Sequence, residues 1–306
     1  MKIVFFGSSS FSVPALYAIH SHVVCVVTKK AKPQGRGYGL EDNEVKKASL
    51  TLKLPLIEIT SFKDEKIHTI REFEPDLFVV VSFGLIIPNW LLNLPSVEAI
   101  NVHPSLLPKY RGPSPIQWAL WNGEKETGIT IIAMNDKMDA GDILHQERTT
   151  ISEQDNMVTL SERLSKRVAE ILPAFIKKIE TEGIENRIVQ NHDEATYTPI
   201  ITKEMGKIDW SMGAFEIVRQ IKALVMWPTA FTLLDGHLLK IFDGEVYHTE
   251  TNTDTGLVLQ ADKRGFFVTT SSGTLMVKEV QLENKKRMKA SAFAHGYRGL
   301  VGKRLG

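Results

Sequence analysis

The sequence predicts an α/β protein with two parts: a doubly wound, mostly parallel sheet in the first half and a small antiparallel β-barrel at the C-terminal end. Two observations predict it. In the first half, short apolar, β-branched runs alternate with amphipathic segments, as parallel strands covered by helices on both faces do. In the last third, short strand-like runs are separated by turn residues, which is typical of an antiparallel barrel.

The parallel strands of the first half are predicted from apolar runs. These are Ile3–Phe6, Val23–Val27, Leu77–Val81, Ala99–Val102 and Ile129–Met134. Amphipathic stretches between them, at Lys63–Phe73 and Pro115–Trp121, predict helices on the faces of the sheet. This alternation of strand and helix indicates a doubly wound sheet.

A long helix with one buried stripe is predicted after the first sheet. Apolar residues recur at spacings of three and four from Leu160 to Ile179, and Pro173 is expected to bend this helix. Polar residues and turn formers dominate Glu180–Thr198. We therefore predict a first domain at 1–183, a linker at 184–206 and a C-terminal domain at 207–306.

The barrel of the C-terminal domain is predicted from a helix at Ser211–Val225 and a series of short strands. The strands are Thr229–Leu234, Leu238–Phe242, Gly256–Leu259, Phe266–Thr270 and Thr274–Val280. Turn signals at Asp235-Gly236 and Ser272-Gly273 separate strands and favour antiparallel pairing.

The composition is that of an ordinary folded protein. Of the 306 residues, 43% are hydrophobic and 24% are charged, which excludes a disordered chain. The single cysteine, Cys25, can form neither an internal disulfide nor a thiolate metal cluster. No run approaches the roughly 20 apolar residues of a membrane span, and the start lacks the features of a signal peptide. We therefore expect a cytoplasmic protein.

Positive charge is concentrated at the C-terminal end. The whole chain has a net charge of +1, which is too low for a protein whose entire surface binds nucleic acid. Residues 285–306 hold seven basic and no acidic side chains, so the first 284 residues carry a net charge of −6. This polarity fits a contact with nucleic-acid phosphates at one end, but a solvated basic tail explains the pattern equally well.

A polar pair at the end of a predicted central strand is the strongest candidate for chemistry. Asn101 and His103 are two residues apart, so their side chains project to the same side of an extended strand. Asp139 follows beside two small residues, and a carboxylate close to an imidazole favours the protonated imidazole. An amide donor, an imidazole and a carboxylate can together stabilise an oxyanion and transfer a proton. Taken alone, however, Asn-x-His is more often a polar strand end that hydrogen-bonds to neighbouring loops.

The segment around this pair resembles the formyltransferases that use 10-formyltetrahydrofolate. The matching stretches are NVHPSLLPKYRGPSPIQWALWNGEKETGITI and MDAGDIL. The resemblance implies a Rossmann-like sheet, 10-formyltetrahydrofolate as co-substrate, no metal, and Asn101, His103 and Asp139 as the catalytic residues. It also implies folate contacts from two loops, which are Ser105, Leu106, Leu107 and Pro108, and Phe83, Gly84, Leu85 and Ile86.

Within this family the chain most resembles the members that act on initiator methionyl-tRNA. The loop around Arg36 resembles their basic insertion. The start and the close of their OB-like barrel resemble Lys207-Ile208-Asp209-Trp210, Trp227-Pro228-Thr229-Ala230 and Lys285-Lys286-Arg287-Met288. The resemblance implies a catalytic domain at 1–183, a tRNA-binding domain at 207–306, and tRNA contacts from Arg36, Lys285, Lys286 and Arg287. It implies a monomer that formylates the α-amino group of the esterified methionine, giving N-formylmethionyl-tRNA for translation initiation.

Three alternatives compete with this interpretation. The same chemistry on a nucleotide-linked amino sugar would use the same catalytic residues, so only the basic loop and tail favour tRNA over the sugar. The intact set of Asn101, His103 and Asp139 argues against a catalytically inert RNA-binding protein. A nicotinamide-dependent dehydrogenase is disfavoured because, of the three glycines in the fingerprint G-x-G-x-x-G, only Gly7 is present.

Overall fold

Two compact units make up the chain in this computed structural model, which describes residues 1–31, 33–34, 39–251 and 254–306. The first unit contains Met1–Pro115, Glu126–Thr150 and Ser161–Thr198. The second unit contains Ile116–Lys125, Ile151–Leu160 and Pro199–Gly306.

A seven-stranded sheet is the framework of the first unit. Its strands, with the separate pair β3–β4, are β1 Ile3–Gly7, β2 Val23–Lys29, β3 Pro33–Gln34, β4 Gly39–Leu40, β5 Leu56–Ile59, β6 Leu77–Val81, β7 Glu98–His103, β8 Glu126–Ala133 and β9 Ile143–Thr150. The order in the sheet is β5-β2-β1-β6-β7-β8-β9. The pairs from β5 through β7 are parallel, whereas β8 runs antiparallel to both of its neighbours. The predicted mostly parallel, Rossmann-like sheet is confirmed.

The helices between Val13 and Glu182 follow local sequence signals. They are α1 Val13–Ile19, α2 Glu44–Thr51, α3 Asn89–Leu92, α4 Pro115–Asn122 and α5 Met157–Glu182, with 3-10 helices at Ser10–Ser12, His20–His22 and Glu65–Phe73. Asn43 begins α2, because its side-chain oxygen accepts a hydrogen bond from the main-chain N–H of Lys46 at 3.0 Å. The predicted stripe of α5 is buried at Leu160, Leu164 and Val168.

The direction of one predicted strand is wrong. Ile129–Met134, predicted as a parallel strand, belongs to the antiparallel β8. After Glu126, every residue of β8 is buried, and a strand that is buried on both faces has the same apolar composition in either direction. β5 and β9 are not among the predicted strands, because β5 has only four residues and β9 alternates half-buried with exposed polar side chains.

The carboxyl ends of the parallel strands meet at one edge of the sheet. The residues that end β1, β2, β6 and β7 at this edge are Gly7, Lys29, Val81 and His103. Behind this edge, β1 and β6 are buried along their whole length, which fixes the backbone from which the edge residues project. Open α/β sheets bind their ligands at such an edge.

An antiparallel sheet is the framework of the second unit. Its strands are β10 Ala230–Leu234, β11 His237–Thr251, β12 Val258–Asp262, β13 Gly265–Thr269, β14 Ser272–Leu282 and β15 Met288–Lys289. They pair in the order β10-β11-β14-β13-β12, with β15 added to β14. Two helices, α6 Ala214–Leu224 and α7 Ala290–Gly296, bury Ile217, Ile221 and Phe293 in the same core. The predicted antiparallel sheet at the C-terminal end is confirmed.

Both predicted turns of this sheet join neighbouring antiparallel strands. Asp235 and Gly236 form the expected tight turn between β10 and β11, with φ values of +49° and +79°. Ser272 and Gly273 lie in the turn between β13 and β14, where the main-chain N–H of Thr270 donates to the oxygen of Gly273 at 3.1 Å, and they are the first residues of β14. A Cβ at Gly273 would lie 2.4 Å from the main-chain oxygen of His248, so this glycine permits a close approach between two strands.

Candidate active site

The candidate catalytic residues Asn101 and His103 lie at the carboxyl end of β7. This strand is paired on both sides, with β6 and with β8, so its backbone determines where the two side chains project. The two side chains project to the same side, as the two-residue spacing predicts, and both reach Asp139. His103 is 4% exposed and Asn101 is half-buried, so both act in a largely desolvated setting.

Asp139 lies in the loop between β8 and β9 and joins three segments that are distant in sequence. Its Oδ1 accepts a hydrogen bond from Asn101 Nδ2 at 3.2 Å, and its Oδ2 accepts one from the main-chain N–H of Gly112 at 2.8 Å. The same Oδ2 lies 3.6 Å from His103 Nδ1. The φ of Asp139 is +49°, a backbone conformation that is costly for a residue other than glycine. Contacts around the loop must therefore hold it in place.

The imidazole of His103 is oriented through both of its nitrogens. Nε2 lies 2.8 Å from the main-chain oxygen of Tyr110, and because a carbonyl can only accept, Nε2 carries a proton. Nδ1 is then the nitrogen that faces the Asp139 carboxylate. Nδ1 is thus the ring nitrogen that is left for chemistry at the site.

These three side chains can together stabilise a negatively charged oxygen. The Asn101 amide has two N–H donors, and the hydrogen bond to Asp139 uses one of them. When Nδ1 carries a proton, His103 offers a second donor there, beside the Asp139 carboxylate. Cys25 is not a nucleophile of this site: it is buried in the sheet, and burial raises the pKa of its thiol to about 12.

The predicted folate-contacting segment Ser105–Pro108 is held by Thr130 of β8. The Thr130 hydroxyl donates to the main-chain oxygen of Ser105 at 2.6 Å and accepts from the main-chain N–H of Leu107 at 3.2 Å. The side chains of Ser105 and Leu107 are buried, so they shape the loop. Leu106 and Pro108 are half-buried and keep surface for a ligand.

The second predicted folate loop, Phe83–Ile86, divides between core and surface. Phe83 packs edge-on against Phe6 with ring centroids 5.4 Å apart, so only its main chain is open to a ligand. Gly84 has a φ of +74° and is exposed, Leu85 is half-buried, and Ile86 is 80% exposed. The loop therefore presents an apolar surface at the carboxyl edge of the sheet.

The basic tail of the second unit is partly neutralised. Three of its cations form ion pairs: Arg287 with Glu279, Lys303 with Asp235, and Arg304 with Asp254. The Arg287 guanidinium also stacks over the ring of Phe242 at 4.1 Å. Lys285 and Lys286 are exposed, with no ion pair among the residues that the structure describes. Arg36 lies outside the described residues.

Three residues that contact the candidate site are absent from the predicted set. Tyr110 and Gly112 act through their main chains, and Gln190 donates to the main-chain oxygen of Asp139 at 2.9 Å. Main-chain contacts have no side-chain signature in a sequence. The only available signal was Gly112, with a φ of +111°, because glycine marks unusual backbone.

Metal-ligand groups and membrane-spanning helices are both absent from the described part of the chain. In that part, no three His, Cys, Asp or Glu side chains are grouped in a way that could hold a metal ion. None of the helices in the same residues is both long enough and apolar enough to cross a membrane.

Two family models together match most of the chain. A model described as formyl transferase matches residues 1–176, and one described as formyl transferase, C-terminal domain, matches residues 200–298. The chain belongs to the formyl transferase family. A methionyl-tRNA formyltransferase from Alkaliphilus oremlandii is 39% identical over 292 residues, which cover 94% of each chain. One from Desulforamulus reducens is 37% identical and covers 100% of this formyl transferase and 98% of the relative.

Solved structures of other proteins share the fold of this formyl transferase. HypX from Aquifex aeolicus, in complex with tetrahydrofolic acid, gives a TM-score of 0.66 at 16% identity; the alignment covers 99% of this chain and 48% of HypX. A Helicobacter canadensis N-formyltransferase, in complex with folinic acid and dTDP-3-aminofucose, gives 0.66 at 18% identity over 90% and 99% of the two chains. Methionyl-tRNA formyltransferase from Clostridium thermocellum gives 0.56 at 18% identity over 81% and 94%.

Replacing Thr130 with Val tests whether the Ser105–Pro108 loop forms a folate site. The change keeps the size of the side chain but leaves the main-chain oxygen of Ser105 and the N–H of Leu107 without their buried partner, which costs roughly 1–3 kcal/mol. We expect the Kd for tetrahydrofolate, measured by isothermal titration calorimetry, to rise about 5- to 100-fold. Thr150→Val, at an exposed position on β9, is the control and should bind like the parent. A folded Thr130→Val variant with parental affinity would contradict the assignment.

Proposed function

We propose that this formyl transferase moves the formyl group of 10-formyltetrahydrofolate to the α-amino group of methionine on initiator methionyl-tRNA. The product is N-formylmethionyl-tRNA, for translation initiation in the cytoplasm. The observation that carries the proposal is the match with the methionyl-tRNA formyltransferase of Alkaliphilus oremlandii over 94% of both chains. Because the alignment covers 94% of each chain, it spans both the candidate site and the second unit.

Transfer to a nucleotide-linked amino sugar is the competing function. The N-formyltransferase from Helicobacter canadensis is only 18% identical, a level that supports a common fold and not a common acceptor. Full-length relatives named for methionyl-tRNA are 36–40% identical. The exposed cations Lys285 and Lys286 also favour a polyanionic acceptor over a small sugar.

The reaction is a direct acyl transfer between two nitrogens. An α-amino group titrates at roughly pKa 7.7–8.0 in peptides, so a useful fraction is uncharged near neutral pH. The amine nitrogen forms a bond to the formyl carbon, and the bond from that carbon to N10 of the folate breaks. Asn101 Nδ2 and protonated His103 Nδ1 donate to the formyl oxygen while it gains negative charge.

Asp139 has two roles in this chemistry. It keeps the His103 ring oriented, because its Oδ2 lies 3.6 Å from Nδ1. It also sits where a proton must travel from the attacking nitrogen to the departing N10, and water beside the carboxylate is the proposed carrier. Because the amine attacks the formyl carbon directly, no covalent bond to the enzyme is needed.

The two loops at the carboxyl edge are the proposed folate site, and their residues fit a flat, partly apolar ligand. Exposed Ile86 and half-buried Leu85 supply apolar surface, and Gly84 leaves its main chain accessible. Half-buried Leu106 and Pro108 supply the facing surface from the other loop. Bound there, 10-formyltetrahydrofolate supplies the activated formyl group, and the residues of the chain orient it.

Residues 207–306 and Arg36 are proposed to contact tRNA. The catalytic domain is proposed to be residues 1–183, and the protein is proposed to act as a monomer. Ion pairs engage Arg287 within its own unit, so its contribution to phosphate binding is reduced. Lys285 and Lys286 are exposed and are the better phosphate contacts. Charge-driven contact with phosphates releases counterions, which makes the affinity fall as salt rises.

A direct assay separates the two acceptors. Parent protein is incubated with 10-formyltetrahydrofolate carrying a radioactive formyl group and either methionyl initiator tRNA or dTDP-3-aminofucose. We expect label on the tRNA and none on the sugar. His103→Ala, which removes one donor to the developing oxyanion, should lower turnover by about 10²–10³. Label on the sugar without label on the tRNA would overturn the proposal.

Removing the two exposed lysines tests the tRNA contact. In the double variant Lys285→Ala/Lys286→Ala we expect weaker binding of methionyl-tRNA and a salt dependence whose log–log slope is shallower by about 1–2, since each phosphate contact contributes about 0.7–0.9. Binding is measured by filter retention at several salt concentrations. Lys177→Ala, an exposed position on α5, is the matched control. An unchanged slope in the double variant would show that these lysines are ordinary solvated charges.

A further inference from the structure

Arg111 is a buried cation with neutral partners. It is 2% exposed, and in the described part of the chain no carboxylate lies within ion-pair distance of its guanidinium. Its Nε and Nη2 donate to Gln190 Oε1 at 3.1 and 2.7 Å, Nη1 donates to the Tyr197 hydroxyl at 3.2 Å, and Nη2 lies 3.0 Å from His192 Nδ1. Burying a charge without a counter-ion costs free energy of folding, so the hydrogen bonds of Arg111 must offset this cost.

The hydrogen bonds of Arg111 determine the orientation of the Gln190 side-chain amide. A guanidinium can only donate, so the oxygen of the Gln190 amide must face Arg111 and its NH₂ group must face the other way. That NH₂ group donates to the main-chain oxygens of Asp139 at 2.9 Å and Gly141 at 2.7 Å. Gln190 is 4% exposed, and these bonds use its oxygen and both of its N–H groups. Arg111 therefore determines which end of the amide meets the Asp139 loop.

The main chain around Arg111 contacts the same site from the opposite side. Tyr110 offers its oxygen to His103 Nε2, and Gly112 donates its N–H to Asp139 Oδ2. The Arg111 main chain is itself paired with a neighbouring segment: its N–H donates to Thr196 at 2.8 Å, and its oxygen accepts from Thr198 at 2.7 Å. Asp139 is thus held at its carboxylate and at its main chain by one connected set of contacts.

We propose that Arg111 and Gln190 are positioning residues that hold the Asp139 loop in its catalytic conformation. The inference rests on the proposed function, in which Asp139 is a catalytic residue. The left-handed φ of +49° at Asp139 explains the need for such a brace. Without the two bonds from Gln190, the loop is free to relax toward an ordinary backbone, which withdraws the carboxylate from His103 and Asn101.

Gln190→Glu separates this positioning role from general stability. The glutamate keeps an acceptor for Arg111 and gains an ion pair with it, which offsets part of the cost of the lost hydrogen bonds, so the variant should still fold. It loses the two N–H donors, however, and places a charged oxygen against the main-chain oxygens of Asp139 and Gly141. We expect kcat for formyl transfer to fall about 10- to 100-fold while KM for both substrates changes less than about threefold, because the loss lies in catalytic geometry.

Two further variants and one further readout complete the experiment. Arg111→Lys keeps the charge but loses the fork that grips the amide oxygen, and should show the same loss of kcat at a smaller size. Gln154→Glu, an exposed position with the same change of chemistry, should match the parent. Hydrogen–deuterium exchange of residues 136–143 reports the loop without any substrate, and we expect faster exchange in Gln190→Glu and Arg111→Lys.

The outcomes are distinguishable. Faster exchange together with lower kcat supports the inference. Parental kcat in a folded Gln190→Glu variant overturns it, whether or not the exchange changes. If the parent itself formylates no methionyl-tRNA, the proposed function fails. In that case, unchanged exchange of residues 136–143 in Gln190→Glu would also overturn the positioning role of Arg111 and Gln190.

Discussion

The candidate site depends on the hydrogen bonds that the Asp139 carboxylate accepts from Asn101 and Gly112. This carboxylate is largely buried, so both of its oxygens need partners, and strand β7 and the 110–112 segment supply them. Because one carboxylate satisfies donors from two segments, it also fixes the orientation of the Asn101 amide. Oδ2 of Asp139, which accepts from Gly112, also faces His103. One carboxylate therefore both places negative charge beside the imidazole and holds the 110–112 segment in position. The parallel sheet contributes by ending β7 at an edge where a substrate has access.

Much of the fold could be predicted from local patterns. The apolar run Leu77–Val81 forms a strand, and the apolar residues at spacings of three and four lie along the helix α5. These sequence patterns are reliable because they arise directly from which faces of an element are buried. Strand direction could not be predicted for β8, whose apolar composition is independent of direction. The long β11 exceeds the predicted Leu238–Phe242, because polar residues on its open side and shifts in its pairing interrupt the alternation that signals a strand.

The candidate residues that act through their side chains could be predicted from the sequence, whereas the residues that contact the site through their main chains could not. Asn101 and His103 are two apart on one strand, and that spacing alone places them on the same side. The approach of Asp139 follows from the resemblance, since no local pattern brings residue 139 to residue 103. Gly112, Tyr110 and Gln190 contact the site through tertiary pairing of segments whose composition is that of ordinary loops. The turn-rich stretch before residue 198 belongs in the structure to the first unit, where Gln190 reaches the loop that holds Asp139.

The most direct test of the central role of this carboxylate is the single-turnover rate of formyl transfer to methionyl-tRNA in Asp139→Asn. The asparagine has nearly the same shape, but its amide has one accepting oxygen, and its NH₂ group must oppose a donor from either Asn101 or Gly112. It also removes the charge beside His103. The account predicts a fall in rate of at least about 10² with both substrates saturating. A rate within about threefold of the parent, in a folded variant, would contradict it.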